Sequence, residues 1–200
     1  MSASERVLKR IRSNKRGRIL FPADFSDITD GITLRQIFAR LTIDKTLIRL
    51  ARGIYLFPVI DEKLGPLIPP LEDIAAAVAR RDKARIIPTG VYALNRLGLS
   101  TQVPLKIIYL TDGTTRSIKI GKHNITFLKT SPKILAIRDE LLCLIITALQ
   151  EIGQTNISDD IINKIRPLVL QNVNPIFRKD LQLAPAWIRN LVKKKIFSDS

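Results

Sequence analysis

Residues 32–57, ITLRQIFARLTIDKTLIRLARGIYLF, constrain this chain most, because the period of their apolar residues changes halfway along. In the first half Leu34, Ile37, Phe38 and Leu41 recur at i, i+3, i+4 and i+7, the spacing of one buried helix face. Thr33, Arg35, Gln36 and Arg40 are left for the opposite face. In the second half two short β-type runs, Leu47-Ile48-Arg49-Leu50 and Ile54-Tyr55-Leu56-Phe57, flank Ala51-Arg52-Gly53. Glycine in that turn makes a positive φ cheap. A helix with a cationic and amide outer face, followed at once by a hairpin carrying Arg49 and Arg52 at its tip, has the layout of a winged helix. In that arrangement the helix enters a major groove and the wing touches the phosphate backbone.

The chain ahead of this stretch supplies the other parts. Residues 3–13 make a plausible helix with Val7, Leu8 and Ile11 as its apolar stripe, followed by a basic turn, Asn14-Lys15-Arg16-Gly17-Arg18. Ile19-Leu20-Phe21 is strand-like, and Pro22-Ala23-Asp24-Phe25 opens a short second helix with Pro at N1 and an acid in the first turn. Asp30-Gly31 turns the chain, and Thr33 is placed to cap the longer helix. Helix, short helix, longer helix and hairpin are the order of a winged helix-turn-helix domain over residues 1–60.

Residues 58–71 hold four of the eleven prolines and read as an extended linker. Beyond it, residues 66–200 are expected to form an α+β domain. Residues 72–81 suit a helix with Ile74, Ala75 and Val78 inward, and 84–88 a short strand. Residues 89–97 suit a helix with Val91, Leu94 and Leu97 inward and Gly98 as C-terminal cap. The runs 105–110, 116–120 and 124–128 alternate and are joined by short turns, so an antiparallel meander is expected, with the sheet region at about 84–130. From Lys133 to about residue 197 the pattern is helical. Residues 134–152, apolar on much of their circumference, are its central helix. Ser158 caps the next one, with Asp159 and Asp160 in its first turn, and 184–197 end on Lys193-Lys194-Lys195.

Charge selects the class of partner. The net charge is +15, and it is uneven: residues 1–60 carry 12 basic and 5 acidic side chains, residues 136–200 carry 9 and 7. A polyanion is the natural partner, since each phosphate contact releases a counterion. A membrane surface suits the chain less, because the basic segment lacks an amphipathic helix rich in Trp and Phe. The one cysteine, Cys143, lies in the apolar run LLCLII, which excludes an intramolecular disulfide framework. No stretch reads as a signal peptide or membrane span, and a reducing cytoplasm fits.

Catalytic chemistry finds little to work with. With one His and one Cys, a thiol–imidazole pair would have to unite His123 with a core thiol. No cysteine or histidine spacing suits zinc, and no phosphate-binding glycine loop occurs. Asp112 in Thr111-Asp112-Gly113 is ordinary turn chemistry without a second carboxylate beside it. No catalytic residue, metal or cofactor is therefore expected. Nucleic-acid chemistry is better served. Arg35, Gln36 and Arg40 are side chains able to read base edges, Arg toward guanine and Gln toward adenine. Arg49 and Arg52 on the hairpin, and Lys15, Arg16 and Arg18 before it, suit phosphates.

Two blocks carry a family resemblance. RLARGIYLFP (residues 49–58), preceded by a helix ending in ARL, resembles the N-terminal winged helix of the AbiEi family of type IV antitoxins. PTGVYALNRLGLSTQVPLKIIYLTDGTTRSIKIG (residues 88–121) is similar to a stretch that follows that domain in many such proteins, with NRLGLSTQVP at its centre. The resemblance spans roughly residues 5–135, with a weaker echo in LAPAWIRNL (residues 183–191). It implies a cytoplasmic antitoxin of abortive-infection phage defence that binds its own promoter through the winged helix and represses its operon. It also implies opposition to a nucleotidyltransferase-like toxin, without need of a stable complex. By position, Arg35, Gln36 and Arg40 would belong to the recognition helix and Arg49 and Arg52 to the wing; Thr33, on the same outer face, is counted with the expected DNA-binding positions. One departure is Lys45, where relatives often place a glycine after that helix. The alternative reading is a stand-alone winged-helix transcription regulator whose second domain senses a small molecule or partner. A nuclease using Asp112 is a more distant rival.

Overall fold

The computed structural model describes residues 1–102, 106–130 and 135–197, and it is an α+β protein. The chain divides into two compact units, the first Met1–Ala77 with Lys119–Gly121, the second Val78–Ile118 with Lys122–Ser200.

The first unit opens with α1 (Ala3–Arg12), whose N-terminus is closed by a reciprocal capping box. The Ser2 hydroxyl accepts from the Glu5 N–H, and the Glu5 carboxylate accepts from the Ser2 N–H. Strand β1 (Ile19–Leu20) leads into a 3-10 turn (Pro22–Phe25) and then α2 (Gly31–Ile43). Strands β2 (Ile48–Ala51) and β3 (Ile54–Leu56) form a hairpin, and β1 pairs antiparallel on the far side of β3, giving the order β1-β3-β2. One core holds the unit together: Val7 and Ile11 from α1, Phe25 from the 3-10 turn, Leu34, Ile37, Phe38 and Leu41 from α2, Leu47, and Tyr55 and Phe57 from β3 and its end. These include every apolar position that the helical spacing of residues 32–41 assigns inward.

The expected linker, residues 58–71, is not unpaired chain: its extended segments pair, and Leu71 already belongs to the next helix. Strands β4 (Val59–Asp61) and β5 (Gly65–Leu67) form a small antiparallel hairpin. The Asp61 carboxylate accepts from the Lys63 and Leu64 N–H groups, so the turn supplies its own acceptor. Helix α3 (Leu71–Arg81) follows.

After α3, β6 (Ile86–Pro88) precedes α4 (Gly90–Arg96), and three further strands follow: β7 (Lys106–Thr111), β8 (Arg116–Ile120), whose last two residues group with the first unit, and β9 (His123–Lys129). The sheet is not the expected meander. Its order is β6-β7-β9-β8, with β6 antiparallel to β7 and β7 parallel to β9. Strand β9 lies inside because it buries both faces: Ile125, Thr126 and Phe127 are consecutive buried residues. Strand β8 alternates and takes the edge. The buried Thr126 hydroxyl shares a hydrogen bond with Ser117 on β8, 3.2 Å.

Helix α4 turns Tyr92, Ala93 and Leu97 inward, with Leu94 partly buried, while Val91 is 36 % exposed, contrary to expectation. Gly98 takes φ +68° at the helix end, as its cap position requires. The central helix starts later than its sequence pattern suggests. It is α5 (Glu140–Ile152), capped by the Asp139 carboxylate accepting from the Leu142 N–H. Ile134, the first residue of that expected helix, lies outside the described residues, as does Leu105 of the expected strand. Helices α6 (Asp159–Asn172), α7 (Pro175–Asp180) and α8 (Ala186–Val192) complete the unit, the last running into a π turn at Lys193–Phe197. Ser158 is the N-cap residue of α6, though its side chain makes no capping bond. Leu142, Ile145, Ile146 and Leu149 of α5 sit at the centre of the core, with Ile162, Ile165, Phe177 and Ile188 around them. Among the described residues, no helix is long and apolar enough to cross a membrane.

Candidate nucleic-acid interface

Helix α2 has two distinct faces. The buried face is Leu34, Ile37, Phe38 and Leu41. The opposite stripe, at i, i+4, i+7 and i+11, is Ile32, Gln36, Ala39 and Ile43, all exposed, with Arg35 and Arg40 on its flanks. Ile32 is 64 % and Ile43 82 % exposed. The sequence reading named the polar members of this face and passed over the apolar ones. Their signal was present all the same: they occupy the positions half a turn from the core residues.

The start of α2 is built differently from expectation. Asp30, not Thr33, is the cap. One Asp30 oxygen accepts from the Ile32 and Thr33 N–H groups at 2.8 and 3.0 Å, and the other accepts from the Thr33 hydroxyl at 2.6 Å. Thr33 sits inside the first turn, where its hydroxyl is an internal donor. The Thr33 hydroxyl first, then the two N–H groups, pull the Asp30 pKa down to about 2. Arg35 folds back along the helix, its Nε donating to the Gly31 carbonyl at 3.1 Å. Among the described residues, Gln36 and Arg40 have no such tie.

At the other end of the helix Lys45 adopts φ +62°. The left-handed residue that a glycine would supply there is retained by lysine, and the chain still turns into β2. Ahead of it the Asp44 N–H donates to the Arg40 carbonyl, and the Leu47 N–H donates to the Leu41 carbonyl.

The β2–β3 hairpin carries Arg49 and Arg52, both exposed, with Gly53 at φ +74° closing the turn. A register shift between Arg49 and Ala51 bends the strand just before the tip. The hairpin is attached to α2 through Phe38 and Tyr55, whose rings meet edge to face. Helix face and hairpin tip are therefore parts of one packed body.

Lys15, Arg16 and Arg18 fall elsewhere. The Gly17 N–H donates to the Phe57 carbonyl and the Phe57 N–H donates to the Arg18 carbonyl, which fastens the basic turn at the end of β3 away from the tip. The length of β3 puts about 10 Å between them. Arg16 is engaged in the fold: it donates to the Pro58 carbonyl at 3.1 Å and stands over the Phe57 ring at 4.8 Å. It lines a cleft of about 480 Å³ with Arg12, Asn14, Asp44, Lys45 and Thr46. The nine expected positions thus separate into the α2–hairpin group, a distant basic turn and an internal Thr33. Arg12 and Lys45 join that turn's cleft and had no motif to announce them.

In the second unit, the chemistry expected to be inert has structural duties. Asp112 accepts from the Arg85 N–H at 2.8 Å. Cys143 is buried, its thiol facing the Ile137 carbonyl, and burial pushes its pKa up to about 11. Among the described residues, no three His, Cys, Asp or Glu side chains gather where a metal ion could be held.

A family model described as "Family of unknown function (DUF6088)" matches residues 6–175. No curated protein matches the chain. Among solved structures, the crystal structure of the RV2827C protein from Mycobacterium tuberculosis is similar at 14 % identity and a TM-score of 0.45. The match covers 98 % of this chain and 76 % of that one.

Proposed function

The chain belongs to DUF6088, a family of unknown function, and we propose that it is a sequence-specific double-stranded-DNA-binding protein whose first unit works as a winged helix. The observation that carries this reading is the outward stripe of α2, joined through Phe38 and Tyr55 to a hairpin bearing two exposed arginines. Helix α2 enters the major groove. Gln36 pairs with adenine, Arg40 with guanine, and Ile32, Ala39 and Ile43 meet thymine methyl groups, so the preferred site is rich in A·T pairs. Arg49 and Arg52 hold phosphates, and Lys15, Arg18 and Lys45 add to the basic field. Arg35 joins the base-reading set by releasing the Gly31 carbonyl.

The biological setting follows from the AbiEi resemblance alone. In it the protein is a cytoplasmic antitoxin that represses its own operon and counters a nucleotidyltransferase-like toxin, a stable complex not being required. The alternative is a stand-alone regulator with a sensing second domain, and co-expression with a neighbouring toxin gene separates the two.

The deciding experiment is a salt-titrated gel shift against the DNA upstream of its own gene and a scrambled duplex of equal length. Preference for the upstream DNA that persists as salt rises supports a specific repressor. Equal and steeply salt-sensitive binding to both means that the +15 charge acts without readout.

A further inference from the structure

A cleft of about 350 Å³ opens in the second unit, a volume in the range of small-molecule sites. Arg85, Arg96 and Arg138 line it, together with Tyr92, Tyr109 and a single carboxylate, Glu140. Two kinds of arginine meet there. The Arg85 guanidinium donates to the Leu135 and Ile137 carbonyls, so it contributes a positive charge held at the wall by two of its five N–H donors. Arg96, in the last turn of α4, and Arg138, just before α5, are exposed, and among the described residues neither guanidinium has a hydrogen-bond or ion-pair partner.

Two of the nearby acids are engaged elsewhere. Asp180, 5 % exposed, accepts from the Arg138 and Asp139 N–H groups. Asp139 accepts from the Leu142 N–H and from Asn174. Both carboxylates are turned to donors of their own, and the Asp180 contact fixes the point at which Arg138 leaves the chain. The buried Tyr92 and Tyr109 rings, 6.0 Å apart, make that part of the wall stiff and keep the site preformed.

We infer that this cleft binds a small phosphorylated metabolite of about nucleoside-monophosphate size. Its phosphate dianion lies between Arg96 and Arg138, because the guanidinium fork matches phosphate geometry and neither fork is occupied among the described residues. Glu140 accepts a hydrogen bond from a hydroxyl or amine at the ligand's other end. The ligand is an effector or cargo of the second unit, and its binding does not depend on whether the first unit binds DNA.

The test is isothermal titration of the full-length protein with AMP, GMP, CMP, UMP and inorganic phosphate at constant ionic strength, repeated with Arg96→Gln and Arg138→Gln. Both side chains are exposed and outside the core, so the variants keep the melting temperature of the wild type. The expected result is one saturable site that prefers at least one nucleotide over inorganic phosphate. Each variant weakens it by about tenfold or more. Three results would overturn the inference: no saturable heat with any probe at millimolar concentration, binding unchanged in both variants, or inorganic phosphate bound as tightly as every nucleotide.

Discussion

The Phe38 and Tyr55 rings meet with centroids 4.9 Å apart and planes at 62°, and Phe38 is fully buried. The contact sets the position of the hairpin against α2, and Phe25 stands on the other side of Phe38 at 5.4 Å. Phe38→Ala removes the shared ring and leaves a cavity, at a cost of about 3–5 kcal/mol. That is a large part of the total stability of a small domain. Chemical denaturation followed by circular dichroism should show the loss, and on the proposed reading DNA binding should disappear with it.

On the helix surface the proposed reading separates readout from attraction. Gln36→Ala or Arg40→Ala should cost about 1–3 kcal/mol on the specific site and relax its sequence preference. Arg52→Ala should weaken binding to every duplex alike and lower the salt slope by about one. A duplex with uracil for thymine should bind more weakly, since only the methyl groups are missing and Ala39 and Ile43 are left without contacts. Gel shifts at several salt concentrations measure all of these, and unchanged binding throughout sinks the assignment of α2 as the reading helix.

Lys45 at φ +62° occupies a conformation that costs an L-residue about 1–2 kcal/mol. Replacement by glycine relieves most of it and adds flexibility to the unfolded chain, so Lys45→Gly should stabilise by about 0.5 kcal/mol. Gly53→Ala at φ +74° should destabilise by about 1 kcal/mol, although nothing stands within 4 Å of the added carbon. Midpoints of denaturant unfolding check both.

The Asp30 cap makes the first unit acid-sensitive. Its folded pKa of about 2 lies below the ordinary carboxylate value, so folding favours the ionised form. The stabilisation is complete above the unfolded pKa and is lost as pH falls from about 5 toward 2. Asp30→Asn keeps a good capping residue but cannot titrate. Its melting temperature should fall less steeply over that window than that of the wild type, read by circular dichroism at a series of pH values.

Cys143 reports on the second unit. With its pKa raised to about 11 and its thiol buried, it is almost wholly un-ionised at neutral pH. Reaction with a thiol reagent should be slow in the native protein and should accelerate with denaturant in step with loss of helix. Rapid labelling under native conditions would contradict the packing of α5.

The structure keeps what local periodicity reveals. Leu34, Ile37, Phe38 and Leu41 point inward as their spacing requires, and Gly53 and Gly98 sit at positive φ at the turn and helix end where their neighbours place them. Lys45 shows the limit of that rule, since the same backbone state occurs there with no glycine to mark it. The inward face of α4 departs from its apolar spacing at Val91 because a seven-residue helix has too few turns for its apolar positions to define one face. The choice of Asp30 over Thr33 as cap was open locally, because both can accept from first-turn N–H groups, and one residue's backbone conformation decides it.

The candidate interface was half legible. Exposed Gln36, Arg40, Arg49 and Arg52 follow from amphipathic spacing and a hairpin turn. The engagement of Arg16 with Phe57 and Pro58, and the fastening of the basic turn away from the hairpin tip, depend on contacts some 40 residues apart in sequence. No window read along the chain contains them.

Alone, then, the sequence determined the helix–hairpin order of residues 1–60, which face of α2 is buried, and a basic excess suited to a polyanion, because these depend on near neighbours and on composition. Tertiary structure decided that β9 lies between β7 and β8 and runs parallel to β7, since alternation tells a strand which side chains share a face but not which strand lies beside it. It also brought Arg85, Arg96 and Arg138 to one cleft from three separate segments. Burial of both faces of β9 and packing around α5 settle those arrangements, and both are sums over residues far apart in the chain.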